Sequence, residues 1–191
     1  TLYGETKGNV LLRKEQYRIS DSLDKGLIYA KNFILGKLYN QRSVINRAIR
    51  DYYLRLNVNK LEEASIQIMD NIKSIFCCDN IDSLRAIEGN SAQAYFRVFD
   101  ELILQNKNDF AFIKRNRRPP TDPVNSLLSL SYTLLAAECR HALEVVGLDS
   151  YVGFMHTDRP GRASLALDLM EELRPHFSDR FVLSLINRKE I

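Results

Sequence analysis

The chain has 191 residues, 27 of them basic and 24 acidic, and 45% of the residues are hydrophobic. This length and apolar share exclude a disordered chain and leave room for one well-buried domain, or one domain plus a fragment. No apolar run reaches the roughly 18 residues that a membrane span needs, and a net charge of +3 does not by itself point to nucleic acid, because distribution matters more than the sum.

Residues 1–13 carry Gly4, Gly8 and the apolar run Val10-Leu11-Leu12, which reads as a turn and a short strand. Nothing here resembles a signal peptide, and Thr1 is not an initiator Met, so the natural N-terminus is expected upstream. From Ser20 the pattern turns helical. Ser20-Asp21 can cap, and Leu23, Leu27, Ala30, Ile34 and Leu38 recur at helical spacing. Asn40 is expected to interrupt, with a second helix following through Val44, Ala48, Ile49 and Tyr52. A third helix is predicted from about Lys60 to Phe76, and a fourth from Ile81 to Leu104 with Leu84, Ile87, Ser91, Tyr95, Val98 and Leu102 on one face.

A basic loop follows, Lys114-Arg115-Asn116-Arg117-Arg118-Pro119-Pro120. Asp122-Pro123 then opens a long apolar helix to about Val146, and Gly147 stops it. Residues 148–161 read as loop. Ala163 to Leu173 form another helix with Pro175 just beyond it, and Phe181 to Ile186 begin a last one. The three cysteines, Cys77, Cys78 and Cys139, show no zinc spacing, and an odd count suits reduced thiols in a cytoplasmic protein. The fold class is therefore mainly α.

Four features carry possible chemistry. Glu88 lies on the flank of a buried stripe, where an unpaired carboxylate is costly. It needs a cation, a hydrogen-bond partner or water, and the plain alternative is a boundary glutamate pairing with Arg85. Gly89 beside it costs the helix roughly 1 kcal/mol relative to Ala, which makes sense if something approaches the backbone closely. Asp168, Glu171 and Glu172 share one helical arc with Ser164 and repel each other unless a cation sits among them; otherwise they are a solvated acidic face. His156 lies in the loop Gly153-Phe154-Met155-His156, either as a surface residue or as a ligand. One nitrogen with carboxylate oxygens and open positions would suit Mn²⁺ or Mg²⁺. Lys114, Arg115, Arg117 and Arg118 either bind phosphates or form a solvated loop. Phosphate-loop, dinucleotide, serine-hydrolase and zincin motifs are all absent from the sequence.

Several segments in order resemble the CRISPR-associated integrase family, the large metal-dependent subunit of the spacer-acquisition complex. They are Gly8-Asn9-Val10-Leu11-Leu12-Arg13, Asn40-Gln41-Arg42, and Ile87-Glu88-Gly89 followed by Tyr95-Phe96. Arg117 to Ser129 (RRPPTDPVNSLLS), Gly147-Leu148-Asp149 with Gly153 to His156, and Asp168-Leu169-Met170-Glu171 with Leu173-Arg174-Pro175 complete the set. The wording of these pieces is most similar to the subtype I-C branch. The resemblance implies a helical catalytic domain over 14–191, with residues 1–13 a strand remnant of an N-terminal β-domain and linker. It implies Mg²⁺ or Mn²⁺ held by Glu88, His156 and Glu171, the last matching a position that is aspartate in some members. Asp168 would assist the metal or the DNA, and Tyr132 would lie near the site. The implied activity is endonuclease cleavage and integration of spacer DNA by transesterification. The implied partners are double-stranded and branched DNA, a second copy in the full-length protein, and a small ferredoxin-like adaptation protein in a heterohexamer. Two rival functions use the same residues: a non-catalytic helical DNA-binding or scaffold module, and a metal-dependent hydrolase of free nucleotides.

Overall fold

A computed structural model describes residues 9–191, so the turn expected at Gly4 and Gly8 lies outside the described residues. The described residues form helices joined by loops, with no strand among them. Val10, Leu11 and Leu12 are not the strand expected of them; they open helix α1 (Val10–Ser20), which crosses the expected boundary after residue 13. The reason is local capping plus one tertiary anchor. The Asn9 side chain accepts from the Leu11 amide at 3.0 Å. Gln16, 3% exposed, donates to the carbonyls of Asp149 and Val152 at 2.7 and 2.9 Å and accepts from the Asp149 amide at 2.8 Å.

Asn40 does not interrupt either. Helix α2 is continuous (Leu23–Tyr52) and is capped by Ser22 rather than by Ser20-Asp21. An interior Asn costs a helix less than roughly 1 kcal/mol, and burial of Ile34, Leu38, Val44 and Ile45 on either side of it outweighs that. Its side chain also gains a partner, donating to the Glu172 carbonyl at 2.8 Å.

Helix α3 (Val58–Phe76) and helix α4 (Ile81–Arg97) are capped by Asn57 and Asn80. Helix α4 ends earlier than its stripe suggests, and a 3-10 turn (Phe99–Leu102) follows. Val98, Phe99, Leu102 and Ile103 are all buried, so the apolar stripe continues past the end of the helix. Helix α5 (Pro123–Val145) begins as expected, with the Asp122 side chain accepting from the Asn125 amide at 2.8 Å. Gly147 follows it at φ +87, where a side chain would be strained. Helix α6 (Ser164–Arg174) does not end before Pro175. The chain passes through a π-helical turn (Pro175–Asp179) into helix α7 (Arg180–Asn187). A proline inside a helix removes a donor and crowds the carbonyl four residues back, and the wider π turn accommodates both.

Helix α2 packs against α3, α4 and α6, and α6 packs also against α5. Helix α6 thus lies between two long helices. This arrangement brings the middle of α2, the middle of α4 and the end of α6 to one place. Among the described residues no helix is long and apolar enough to cross a membrane.

Candidate active site

Helix α6 presents its polar arc inward. Asp168 is fully buried and Glu171 is 6% exposed, while Leu167, Leu169 and Leu173 are only half-buried. The solvated acidic face is therefore excluded for these two carboxylates, and each has a specific partner.

Glu171 and Glu88 meet on one cation, the ammonium of Lys37. Lys37 Nζ lies 2.6 Å from Glu171 Oε2 and pairs with Glu88 Oε1. The lysine side chain is 1% exposed, so its charge is held away from water and depends on these two carboxylates. Glu171 also pairs with Arg174, one turn further along α6. Burial alone would raise the Glu171 pKa, but Arg174 and Lys37 outweigh it and hold the carboxyl down at about 2. Glu88 does not pair with Arg85. That guanidinium donates to the Met155 carbonyl at 2.7 Å and to Thr157 Oγ1 at 3.2 Å, tying α4 to the histidine loop instead. Among the described residues nothing outside its own helix turn approaches Gly89: a Cβ there would have no such neighbour within 4 Å.

The histidine loop is built around Asp168. Its Oδ2 accepts from the amides of Phe154 and Met155 at 2.7 and 3.0 Å, and its Oδ1 accepts from the His156 amide at 3.0 Å. Oδ1 also lies 2.6 Å from His156 Nδ1. An ionised carboxylate only accepts, so Nδ1 carries the proton and Nε2 presents its lone pair. Asp168 therefore has no free oxygen for a metal or DNA, and positions the imidazole rather than coordinating directly. Gly153 makes room for it, since a Cβ there would lie 2.8 Å from Asp168 Oδ2 and 2.9 Å from the Ser164 backbone. Helix α1 braces the outside of the loop through Gln16 and through Ser20 Oγ, which donates to the Gly153 carbonyl at 2.9 Å. His156 stands near enough to Glu171 that a second proton on its ring would favour the ionised carboxylate.

Glu88 and Glu171 are thus brought together, as are His156 and Asp168. No three acidic, histidine or cysteine side chains surround a single point among the described residues. The donor set nevertheless fits a divalent ion in its chemistry. Two carboxylates from different helices already close on a positive charge, and a fixed imidazole nitrogen stands nearby.

Tyr132 lies behind this cluster. Its hydroxyl donates to Asp179 Oδ1 at 2.5 Å, and the guanidinium carbons of Arg174 and Arg115 lie 4.9 and 5.2 Å from its ring centroid. Burial lifts the Asp179 carboxyl to about 6, against the opposing pull of the Tyr132 hydrogen bond and the Arg174 charge.

The basic loop divides. Lys114, Arg117 and Arg118 are exposed. Arg115 points inward, donating to Asn125 Oδ1 and the Asn116 carbonyl, each at 2.6 Å, and to Ser129 Oγ at 3.2 Å. The loop flanks α4, and Gln93, Phe96, Arg97, Lys114 and Arg117 line a groove there, about a turn along the helix from Glu88. Lys37, Arg174, Asp179 and Gln16 are the residues that sequence reasoning missed. Of these, Lys37 interrupts an apolar stripe, between Ile34 and Leu38.

The family model described as CRISPR associated protein Cas1 matches residues 1–191. The CRISPR-associated endonuclease Cas1 1 of Chlorobaculum tepidum is 46% identical over 190 residues, covering 100% of this chain and 55% of that protein. The CRISPR-associated endonuclease Cas1 of Leptospira interrogans is 46% identical over 181 residues, covering 95% and 71%. Among solved structures, a casposase bound to integration product superposes with a TM-score of 0.84 at 27% identity, over 100% of this chain and 51% of that one. A Cas1 protein from Thermotoga maritima, with a TM-score of 0.82 at 24% identity over 100% of this chain and 57% of that one, shares the fold. The chain spans about half the length of the first of these relatives. With the model match running from the first residue to the last, and with relatives this similar along the whole chain, it belongs to the CRISPR-associated protein Cas1 family.

Proposed function

We propose that this chain is the helical catalytic part of a metal-dependent DNA endonuclease and integrase of CRISPR adaptation. The observation that carries this reading is the meeting of Glu88 and Glu171, from helices far apart in sequence, on a single buried cation. Glu88, Glu171 and His156 Nε2 would hold Mg²⁺ or Mn²⁺. Bound there, the ion supplies Lewis acidity to a phosphodiester and stabilises charge building on its oxygens.

The chain's own groups do the rest. Asp168 holds the His156 proton on Nδ1 and fixes the ring. Arg174 balances Glu171 and keeps it ionised. Lys114 and Arg117, which line the groove beside α4, and the exposed Arg118 next to them grip the DNA backbone. With a DNA 3′-hydroxyl as nucleophile the reaction is transesterification, which is spacer integration; with water it is cleavage. The relatives named as endonucleases and the casposase solved with its integration product support both outcomes. Double-stranded or branched DNA is the substrate on this reading. A partial Cas6-RT-Cas1–Cas2 complex among the similar structures, with a TM-score of 0.84 at 26% identity, supports assembly with another adaptation protein.

The test is Mn²⁺ titration by thermal shift together with cleavage of branched DNA. Mn²⁺ should raise the melting temperature of the chain but not of Glu88→Ala, and His156→Ala should abolish cleavage. If Mn²⁺ stabilises Glu88→Ala equally, the metal assignment is wrong. DNA binding without metal-dependent cleavage would favour the scaffold reading instead.

A further inference from the structure

Lys37 carries a consequence that the metal assignment alone does not contain. A lysine loses about 2 kcal/mol of side-chain freedom when fixed, and its ammonium is expensive to desolvate. The fold nevertheless buries this one to 1% exposure between the two carboxylates it needs for chemistry. Those same oxygens, Glu88 Oε1 and Glu171 Oε2, are the atoms a divalent ion would take. Two cations cannot share them in a site with little water, because their repulsion is barely screened.

We propose that Lys37 is a tethered counter-ion. In the metal-free chain its ammonium occupies the cation position between Glu88 and Glu171 and keeps both carboxylates placed. When a divalent ion enters, the ammonium leaves that position. Lys37 is thus a positioning residue whose charge competes with the metal. Metal affinity is then set by the difference between two cations. A monovalent ion gains too little from the same oxygens to displace the ammonium. This inference rests on the metal assignment made above.

The experiment compares Mn²⁺ binding to the chain and to Lys37→Met by isothermal titration calorimetry, with melting temperatures in chelator and in saturating Mn²⁺. Removing a competing unit charge should tighten Mn²⁺ binding by about ten-fold or more. Lys37→Met should melt lower in chelator, and Mn²⁺ should restore most of the loss. A merely structural lysine would lower the melting temperature equally in both conditions. A folded Lys37→Met that binds Mn²⁺ with unchanged or weaker affinity overturns the proposal and leaves the metal assignment standing. Absence of Mn²⁺ binding to both proteins overturns the assignment and the proposal together. If Lys37→Met does not fold, the unmodified chain decides. The ¹³Cε resonance of Lys37, assigned with Lys37→Arg, should move on saturation with Mg²⁺, and a resonance that stays in place with Mg²⁺ bound overturns the proposal.

Discussion

Replacing Asp168 with Asn isolates the support of the imidazole from the metal ligands themselves. The carboxylate accepts three backbone amides and faces His156 Nδ1. An asparagine keeps one acceptor oxygen. If that oxygen takes the Oδ1 position, the new NH₂ faces the Phe154 and Met155 amides, and two donors lose their acceptor. Each buried donor left unsatisfied costs about 1–3 kcal/mol, so the loss should be about 4 kcal/mol in urea unfolding at neutral pH. Amide hydrogen exchange should rise at Phe154, Met155 and His156 and stay unchanged in α3. Because the ring would then be loosely held, Mn²⁺ affinity should fall by roughly 10–100-fold. A loss under about 1 kcal/mol with unchanged exchange at those three amides would refute the idea that Asp168 organises the loop. A loosened loop with undiminished Mn²⁺ binding would refute the assignment of His156 as a ligand.

Three further outcomes follow from the same geometry. Arg115→Met should destabilise the fold by about 2 kcal/mol through its lost buried hydrogen bonds. By contrast, replacing Lys114, Arg117 and Arg118 together with Ala should leave stability within about 0.5 kcal/mol and reduce the salt-dependence slope of DNA binding by about 2 to 3; the reverse pattern would mean that the inward and outward roles are misassigned. Gly89→Ala should stabilise the chain by roughly 1 kcal/mol, since its Cβ meets open space, and should weaken DNA binding if the substrate is what approaches there. On pH, Asp179 has a folded pKa of about 6, above its ordinary value near 3.8. Its favourable contribution is therefore present below about pH 4 and lost as pH rises through 6. Stability relative to Asp179→Asn should fall by about 3 kcal/mol over that window. Glu171 has the opposite sign: its pKa of about 2 lies below the ordinary 4.5, so its contribution is present above pH 4.5 and lost as pH falls toward 2. Unfolding curves at stepped pH check both, and a flat difference between the chain and Asp179→Asn would remove the Asp179 argument.

Much of this was legible before any coordinates. Helical spacing located the bodies of α3, α5 and α6, and Asp122-Pro123 and Gly147 marked the ends of α5 because their chemistry is local. The errors came where tertiary packing overrides local preference. Val10-Leu11-Leu12 looks like a strand, but Gln16, four residues beyond it, has partners more than 130 residues away. Asn40 looks like a breaker, but its partner is the Glu172 carbonyl on another helix. Glu88 and Glu171 stood out by their helical spacing, whereas His156, in a loop, read equally as a surface residue and joined them as a ligand only through the family resemblance. Lys37 was visible in principle too, as a charge in the apolar stripe that also holds Ile34 and Leu38, yet a lone sequence does not say what neutralises it. Arg115 shows the converse. In a run of cations each one reads as solvent-facing, and only Asn125 and Ser129 across the turn reveal that this one faces inward.

The junction of Lys37 with Glu88 and Glu171 also bears on the order in which the molecule assembles. Lys37 and Glu88 are 51 residues apart in the chain, and Glu171 is more distant still. Contacts of such long range form late, after local helices and short loops have closed. A partly folded intermediate would therefore have most of its helix content without the meeting of Glu88 and Glu171 on Lys37. On the function proposed above, the chain has no competent centre until α2, α4 and α6 have all docked, because only then do Glu88 and Glu171 meet on Lys37.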